Sequence, residues 1–334
     1  MIKRVIILII IFFIFLVCLE QGIRFYLFGF RSFNFTLMSS IAPLGETDFL
    51  KKSSFPDLRF ELKPNLDSFF KLARFRTNSD GLRDREYQIK KPENTFRVVV
   101  LGSSLTMACG IDIDDAFHSL LENRLNNESS NTSYEFINFG VGGYDLLDCL
   151  AMLKYKALKY EPDLIFFCTD VREPNLNREK SRTNTKYNKM KRQSFFRSYL
   201  IEFASRNKVL SFFAKKKEPN SNIADDHDVN DKIRDLEILE NIFLQLGAIS
   251  KQYNVPVCLV RNNYFINKNR EETEKLALKY GLYYVDTSYA FKKGKVKDYI
   301  IYKIDAHPNA AAHKIFASIL YDYLKEKRLL ERNK

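Results

Sequence analysis

FRVVVLGSSLTMACG (96–110) is an apolar run that ends in a glycine and two serines, Ser103 and Ser104, a pattern shared by a phosphate cradle, a packed strand end and a turn that presents a nucleophilic serine. A serine hydroxyl does such chemistry only with a base, a group that orients the base, and donors for an oxyanion. Asp305-Ala306-His307 supplies candidates for two of these. In an extended segment, side chains two apart fall on the same side. The Asp305 carboxylate can therefore reach the His307 ring, fix its tautomer and leave Nε2 to accept a hydroxyl proton. The same spacing equally lets Asp305 cap the helix that opens near Pro308, with His307 facing water.

Other chemistries fit less well. GSSLTMACGID lacks the Lys and the Ser/Thr of a phosphate loop, and NFGVGGYD lacks the spacing of a dinucleotide fingerprint. The GxSxG elbow is broken by Thr106. His118, His227 and His313 are scattered, and the five cysteines show no ligand spacing, so we expect neither metal nor cofactor. Cys109, Cys149, Cys168 and Cys258 each lie in an apolar run and read as buried free thiols. Asp170, Arg172 and Asn175 follow a strand end and could touch a substrate, although Asp170 serves equally as a cap; Tyr144 reads as packing.

The elements that must position these residues alternate. FRVVVL, YEFINF, DLIFFC, VPVCLV and LYYVDTS are apolar strands, separated by amphipathic helices over 117–125, 144–158, 233–253, 270–281 and 307–327. This pattern predicts an α/β fold: a doubly wound, mostly parallel five-stranded sheet with helices on both faces. Ligands in such sheets bind beyond the carboxyl ends of the strands, where Ser104, Gly143, Thr169 and His307 all fall. Residues 31–95 read as an irregular flank packed on a domain at 96–328.

The net charge is +12, and 14 Lys or Arg against 3 Glu lie between Arg172 and Lys217. Nearly the whole surplus thus sits in that one stretch, within an insertion at about 172–230. A nucleic-acid-binding fold would carry it on framework elements, so nucleic acid is not expected as a partner. A basic amphipathic segment there could meet anionic lipid or an acidic polymer.

Residues 1–30 hold Lys3 and Arg4, then fifteen uninterrupted apolar residues, Val5 to Leu19. Glu20-Gln21-Gly22 follows where a cleaved signal would show small residues. We expect an uncleaved signal anchor, a single-pass transmembrane helix; a cleaved signal is the alternative. The basic pair favours a cytoplasmic amino terminus, with the domain extracytoplasmic, periplasmic or at the cell surface.

LGSSLTMACGI, INFGVGGYD, FFCTDVREPN and DAHPNAAAH, in this order, resemble the four motif blocks of the SGNH (GDSL-type) hydrolases. FELKPN and RTNSDGLRDREY resemble the N-terminal flank of a membrane-anchored bacterial branch. The resemblance covers roughly residues 55 to 325, apart from the insertion. It implies a flavodoxin-like SGNH hydrolase fold and a serine esterase with Ser104 as nucleophile, His307 as base and Asp305 as its orienting carboxylate. It also implies an oxyanion hole from the N–H groups of Ser104 and Gly143, with Thr169 where the family has Asn. Ser103 stands where the family has Asp, and Asp305 precedes the histidine by two rather than three. The resemblance further implies small acyl groups, acetyl on a surface glycan or lipid among them. The rival expectations are an O-acyltransferase using the same residues, and a glycan- or lipid-binding module in which Thr169 marks lost turnover.

Overall fold

The computed structural model describes residues 2–41, 44, 47–168, 198–200, 225–262, 270–291 and 295–331. Its centre is a parallel sheet of β5 (Thr95–Leu101), β6 (Ser133–Asn138), β7 (Leu164–Cys168), β8 (Val257–Arg261) and β9 (Tyr283–Asp286), in the order β6-β5-β7-β8-β9. The chain moves outward from β5 to β6, then crosses back to β7 on the other side. The strand order therefore reverses at β5, and the crevice of such a sheet opens at the carboxyl ends of β5 and β7.

The alternation of side chains in β5 explains the two layers. Val99 and Leu101 face one core with Leu150 and Leu153 of α4 (Leu146–Tyr155) and with Ile242, Phe243 and Leu246 of α5 (Asp225–Tyr253). Val98 and Val100 face the other, with Phe117 and Leu121 of α3 (Phe117–Glu128) and Phe316 and Leu320 of α7 (Ala310–Glu326). A strand covered on both faces reads as a near-continuous apolar run, and β5 is buried throughout, its one charge, Arg97, paired with Glu135. A shorter helix, α6 (Arg270–Lys279), precedes β9.

Several boundaries differ from the sequence expectations. Residues 31–95 are not simply irregular: β1 (Leu50–Lys52) pairs with β2 (Phe60–Leu62), and β3 (Asp67–Phe70) with β4 (Ala73–Arg76). Strands of three or four residues are too short to show a readable alternation, yet Phe60, Leu62, Phe70 and Phe75 join the larger core. Helix α5 starts at Asp225 rather than 233 and so takes in His227. Asp305 to Pro308 form strand β11, antiparallel to β10 (Ile300–Tyr302), and the last helix opens two residues after Pro308. Most of the insertion at 172–230 lies outside the described residues.

At the N-terminus, α1 (Ile2–Phe28) is long and apolar enough to cross a membrane, and the window meeting that test is unburied. Its end packs on the domain. Leu27 and Phe28 join a cluster with Met38, Leu72 and Tyr302, and the Phe28 and Tyr302 rings meet edge to face at 5.3 Å. Glu20 accepts hydrogen bonds from the N–H groups of Tyr199 (3.0 Å) and Leu200 (2.9 Å), tying a second segment to α1.

Candidate active site

Ser104 follows β5 in a run of turns rather than at a helix start; α3 begins only at Phe117. Ala108 at φ +60° and Gly110 at φ +78° prevent a helix from propagating. The turn is held from inside by Arg83. Its guanidinium donates to the carbonyls of Met107 (2.7 Å), Ala108 and Ile111 (2.6 Å) and is buried. Burial lowers it to about 10, still cationic at neutral pH. Thr106, which broke the elbow pattern, lies over Gly102, where any Cβ would stand 2.1 Å from its hydroxyl.

The second glycine turn lies against the first. A Cβ on Gly140 would stand 2.7 Å from the Met107 nitrogen, and one on Gly142 would meet the Ser104 Cβ at 3.6 Å. Gly143 itself is at φ +89°, a region that favours glycine. Arg59 fixes it from outside, donating to the Gly143 carbonyl at 2.7 Å and pairing with Asp148. Asp148 and Asp145 form the capping box of α4, so one arginine locks both the turn and the helix start. Tyr144 is packing, as expected: it is buried and donates to the Phe60 carbonyl at 2.6 Å. Among the described residues, the N–H groups of Ser104 and Gly143 have no hydrogen-bond partner.

Asp305 and His307 project from the same side of β11. Asp305 Oδ1 accepts from both the backbone N–H (3.1 Å) and Nδ1 of His307. Asp305 does not cap the following helix; Asn309 does, accepting from the Ala312 N–H at 3.1 Å. With Nδ1–H donated to the carboxylate, His307 Nε2 is left as an acceptor.

Lys71 completes the cluster. It stands at the tip of the β3–β4 hairpin, at φ +48°, with its Nζ 2.5 Å from Asp305 Oδ2 and 3.3 Å from His307 Nδ1. The first contact is an ion pair. The second is a cation against a ring N–H, since neither group can accept in this tautomer. Burial works against the Asp305 charge, but His307 and Lys71 together outweigh it and hold the carboxyl well below its usual range.

Turn and hairpin are packed on one another. Ile301 of β10 lies against Gly110, and the Cys109 N–H donates to the Ser104 carbonyl at 3.1 Å. Burial pushes the Cys109 thiol up to about 11, with the charges of Lys71 and Asp305 both felt there. Among the described residues, no hydrogen bond joins Ser104 to His307; catalytic hydrogen bonds of free enzymes often tighten only on substrate binding. Thr169, Asp170, Arg172 and Asn175 lie outside the described residues.

The sequence reading did not single out Lys71, Arg83 or Arg59, although RTNSDGLRDREY contains Arg83. Their roles depend on contacts many residues away, which local spacing does not signal. His118 and His313 are structural. His313 Nδ1 accepts the Phe117 N–H at 3.1 Å, and burial lowers both His313 and His118 to about 3.

No protein-family model matches the chain, and no curated protein matches it by sequence. Solved structures do. TesA is 14% identical over 69% of this chain and 98% of its own, with a TM-score of 0.42. An acetyl xylan esterase from Geobacillus stearothermophilus is 14% identical over 72% and 96%, with a TM-score of 0.41. The psychrotrophic esterase EstA from a Pseudoalteromonas species is 15% identical over 71% and 99%, with a TM-score of 0.43. Likeness at this level carries no residue's role to this chain.

Proposed function

We propose that this chain is a membrane-anchored serine ester hydrolase of the SGNH type, with Ser104 as nucleophile, His307 as general base and Asp305 as its orienting carboxylate. The observation that supports the reading is the arrangement around Ser104: an Asp305–His307 pair on a hairpin packed against its turn, and the N–H groups of Ser104 and Gly143, unclaimed among the described residues. His307 Nε2 takes the Ser104 proton as Oγ attacks the ester carbonyl. The N–H groups of Ser104 and Gly143, with the Thr169 hydroxyl as a third donor, hold the tetrahedral oxyanion. Collapse breaks the bond to the alcohol, which leaves with the proton from His307. Water, deprotonated by the same imidazole, then releases the acyl group and restores Ser104.

In this reading α1 anchors the domain, with Lys3 and Arg4 in the cytoplasm and the site outside. Small acyl groups, acetyl on a glycan or lipid included, are the proposed substrates. The test is a panel of chromogenic esters of increasing acyl length, offered to the full chain in detergent. Turnover of the short esters, abolished in Ser104→Ala, is expected; no turnover of any ester would overturn the reading. A C-terminal fusion to a reporter active only outside the cytoplasm should be active, and an active cytoplasm-only reporter would contradict the orientation.

A further inference from the structure

Beside the catalytic hairpin, at the end of α1, lies a pocket of about 320 Å³. Its apolar wall includes Leu27, Phe28, Leu72 and Tyr302, and its cations are Arg31, Lys297 and Lys303, with no carboxylate among the lining residues. Lys303 donates to the Tyr26 carbonyl at 3.2 Å and sits 3.4 Å from that ring's centroid. Arg31 and Lys297 form no ion pair among the described residues. The surrounding surface is aromatic and open: Tyr26, Phe30, Phe33 and Phe35 are 59–84% exposed. Tyrosine rings gather at the headgroup level of a bilayer, so with α1 as the anchor Tyr26 sets the pocket at that level.

From this geometry we infer that the pocket binds an anionic phospholipid of the anchoring bilayer, with the headgroup phosphate among Arg31, Lys297 and Lys303 and the acyl stem along Leu27 and Phe28. The inference rests on the anchoring part of the proposed function, not on the hydrolytic part. Charge complementarity selects the ligand: three cations with no carboxylate among the described lining residues suit a phosphate diester, and the apolar wall continuous with α1 suits a lipid rather than a free ion. The pocket also borders the catalytic cluster. Leu72 follows Lys71, and the Tyr302 hydroxyl is 3.4 Å from Asp305 Oδ2.

The test is native mass spectrometry of the full chain released from nanodiscs of phosphatidylcholine, with and without about one third phosphatidylglycerol; retention of phosphatidylglycerol should exceed that of phosphatidylcholine by roughly tenfold or more. The Arg31→Ala/Lys297→Ala/Lys303→Ala chain should lose that preference, and the charge-preserving Lys297→Arg/Lys303→Arg chain should keep it. Ser104→Ala should retain the lipid like the wild type, so loss of the hydrolase reading would not disturb this measurement. If the triple variant fails to fold, Lys297→Ala alone, at an exposed position, should still lower retention. Equal retention of both lipids, undiminished retention in a folded triple variant, or displacement of phosphatidylglycerol by inorganic phosphate would overturn the inference.

Discussion

Lys71 and Asp305, 234 residues apart, form a 2.5 Å ion pair inside the candidate active site. The β3–β4 hairpin tip that carries Lys71 is pinned to the segment after α1: the Lys71 N–H donates to the Ser40 carbonyl at 2.9 Å, and the Leu72 N–H to the Ser40 hydroxyl at 3.0 Å. A residue of the N-terminal flank thereby helps set the charge of a carboxylate near the chain's other end.

Removing that cation should shift the pH dependence of turnover. Without Lys71 the Asp305 carboxyl rises toward its ordinary range. A higher pH is then needed to keep the carboxylate ionised and the site in its active form. The acid limb of the kcat/KM profile for Lys71→Met should therefore move up by about one pH unit, with Lys71→Arg close to the wild type. Asp305→Asn, which removes the orienting charge, should cost on the order of 10⁴-fold in kcat, as in other triads.

Arg83 should matter first to stability. Replacing it by Met leaves the carbonyls of Met107, Ala108 and Ile111 without their buried donor. A loss of roughly 3 kcal/mol or more is expected, read as a lower denaturant midpoint, with activity falling as the Ser104 turn loosens.

Gly143→Ala separates backbone from sterics. A Cβ there meets nothing closer than the Phe60 ring at 3.6 Å, so the cost is the φ of +89°, about 1–2 kcal/mol. Relaxation of that strain turns the residue's N–H away. A fall in kcat with KM little changed is expected, while an unchanged kcat would remove Gly143 from the oxyanion hole.

The two buried histidines make the fold acid-sensitive. His118 and His313 titrate at about 3 when folded against an ordinary 6.5, so the unfolded chain binds more protons between those values. Their contribution is full above 6.5 and is lost as pH falls toward 3, at up to roughly 3 kcal/mol per pH unit for the pair. Replacing His118, whose two ring nitrogens have no partner among the described residues, by Phe should halve that slope.

Much of this architecture was legible in the sequence because its signals are local. VVVL (98–101) of β5 and LIFFC (164–168) of β7 are apolar at every position since both faces are covered. The Asp305–His307 spacing depends only on two residues being extended, as they are in β11. The flank was harder to read. Its strands are three or four residues long, and Phe60 and Phe70 reveal their burial only once the larger core is assembled. Lys71, Arg83 and Arg59 carry no local mark of function, because each acts through a partner far along the chain. The insertion's charge was visible in the sequence, but its place and that of Thr169 lie outside the described residues.

The nucleophile is tested most directly by fluorophosphonate labelling of the full chain, followed by mass-spectrometric location of the adduct. The account predicts one modified residue, Ser104, in the wild type, with modification strongly slowed in His307→Ala and absent in Ser104→Ala. A wild-type chain that takes no label while hydrolysing esters, or a label on any other residue, would contradict it.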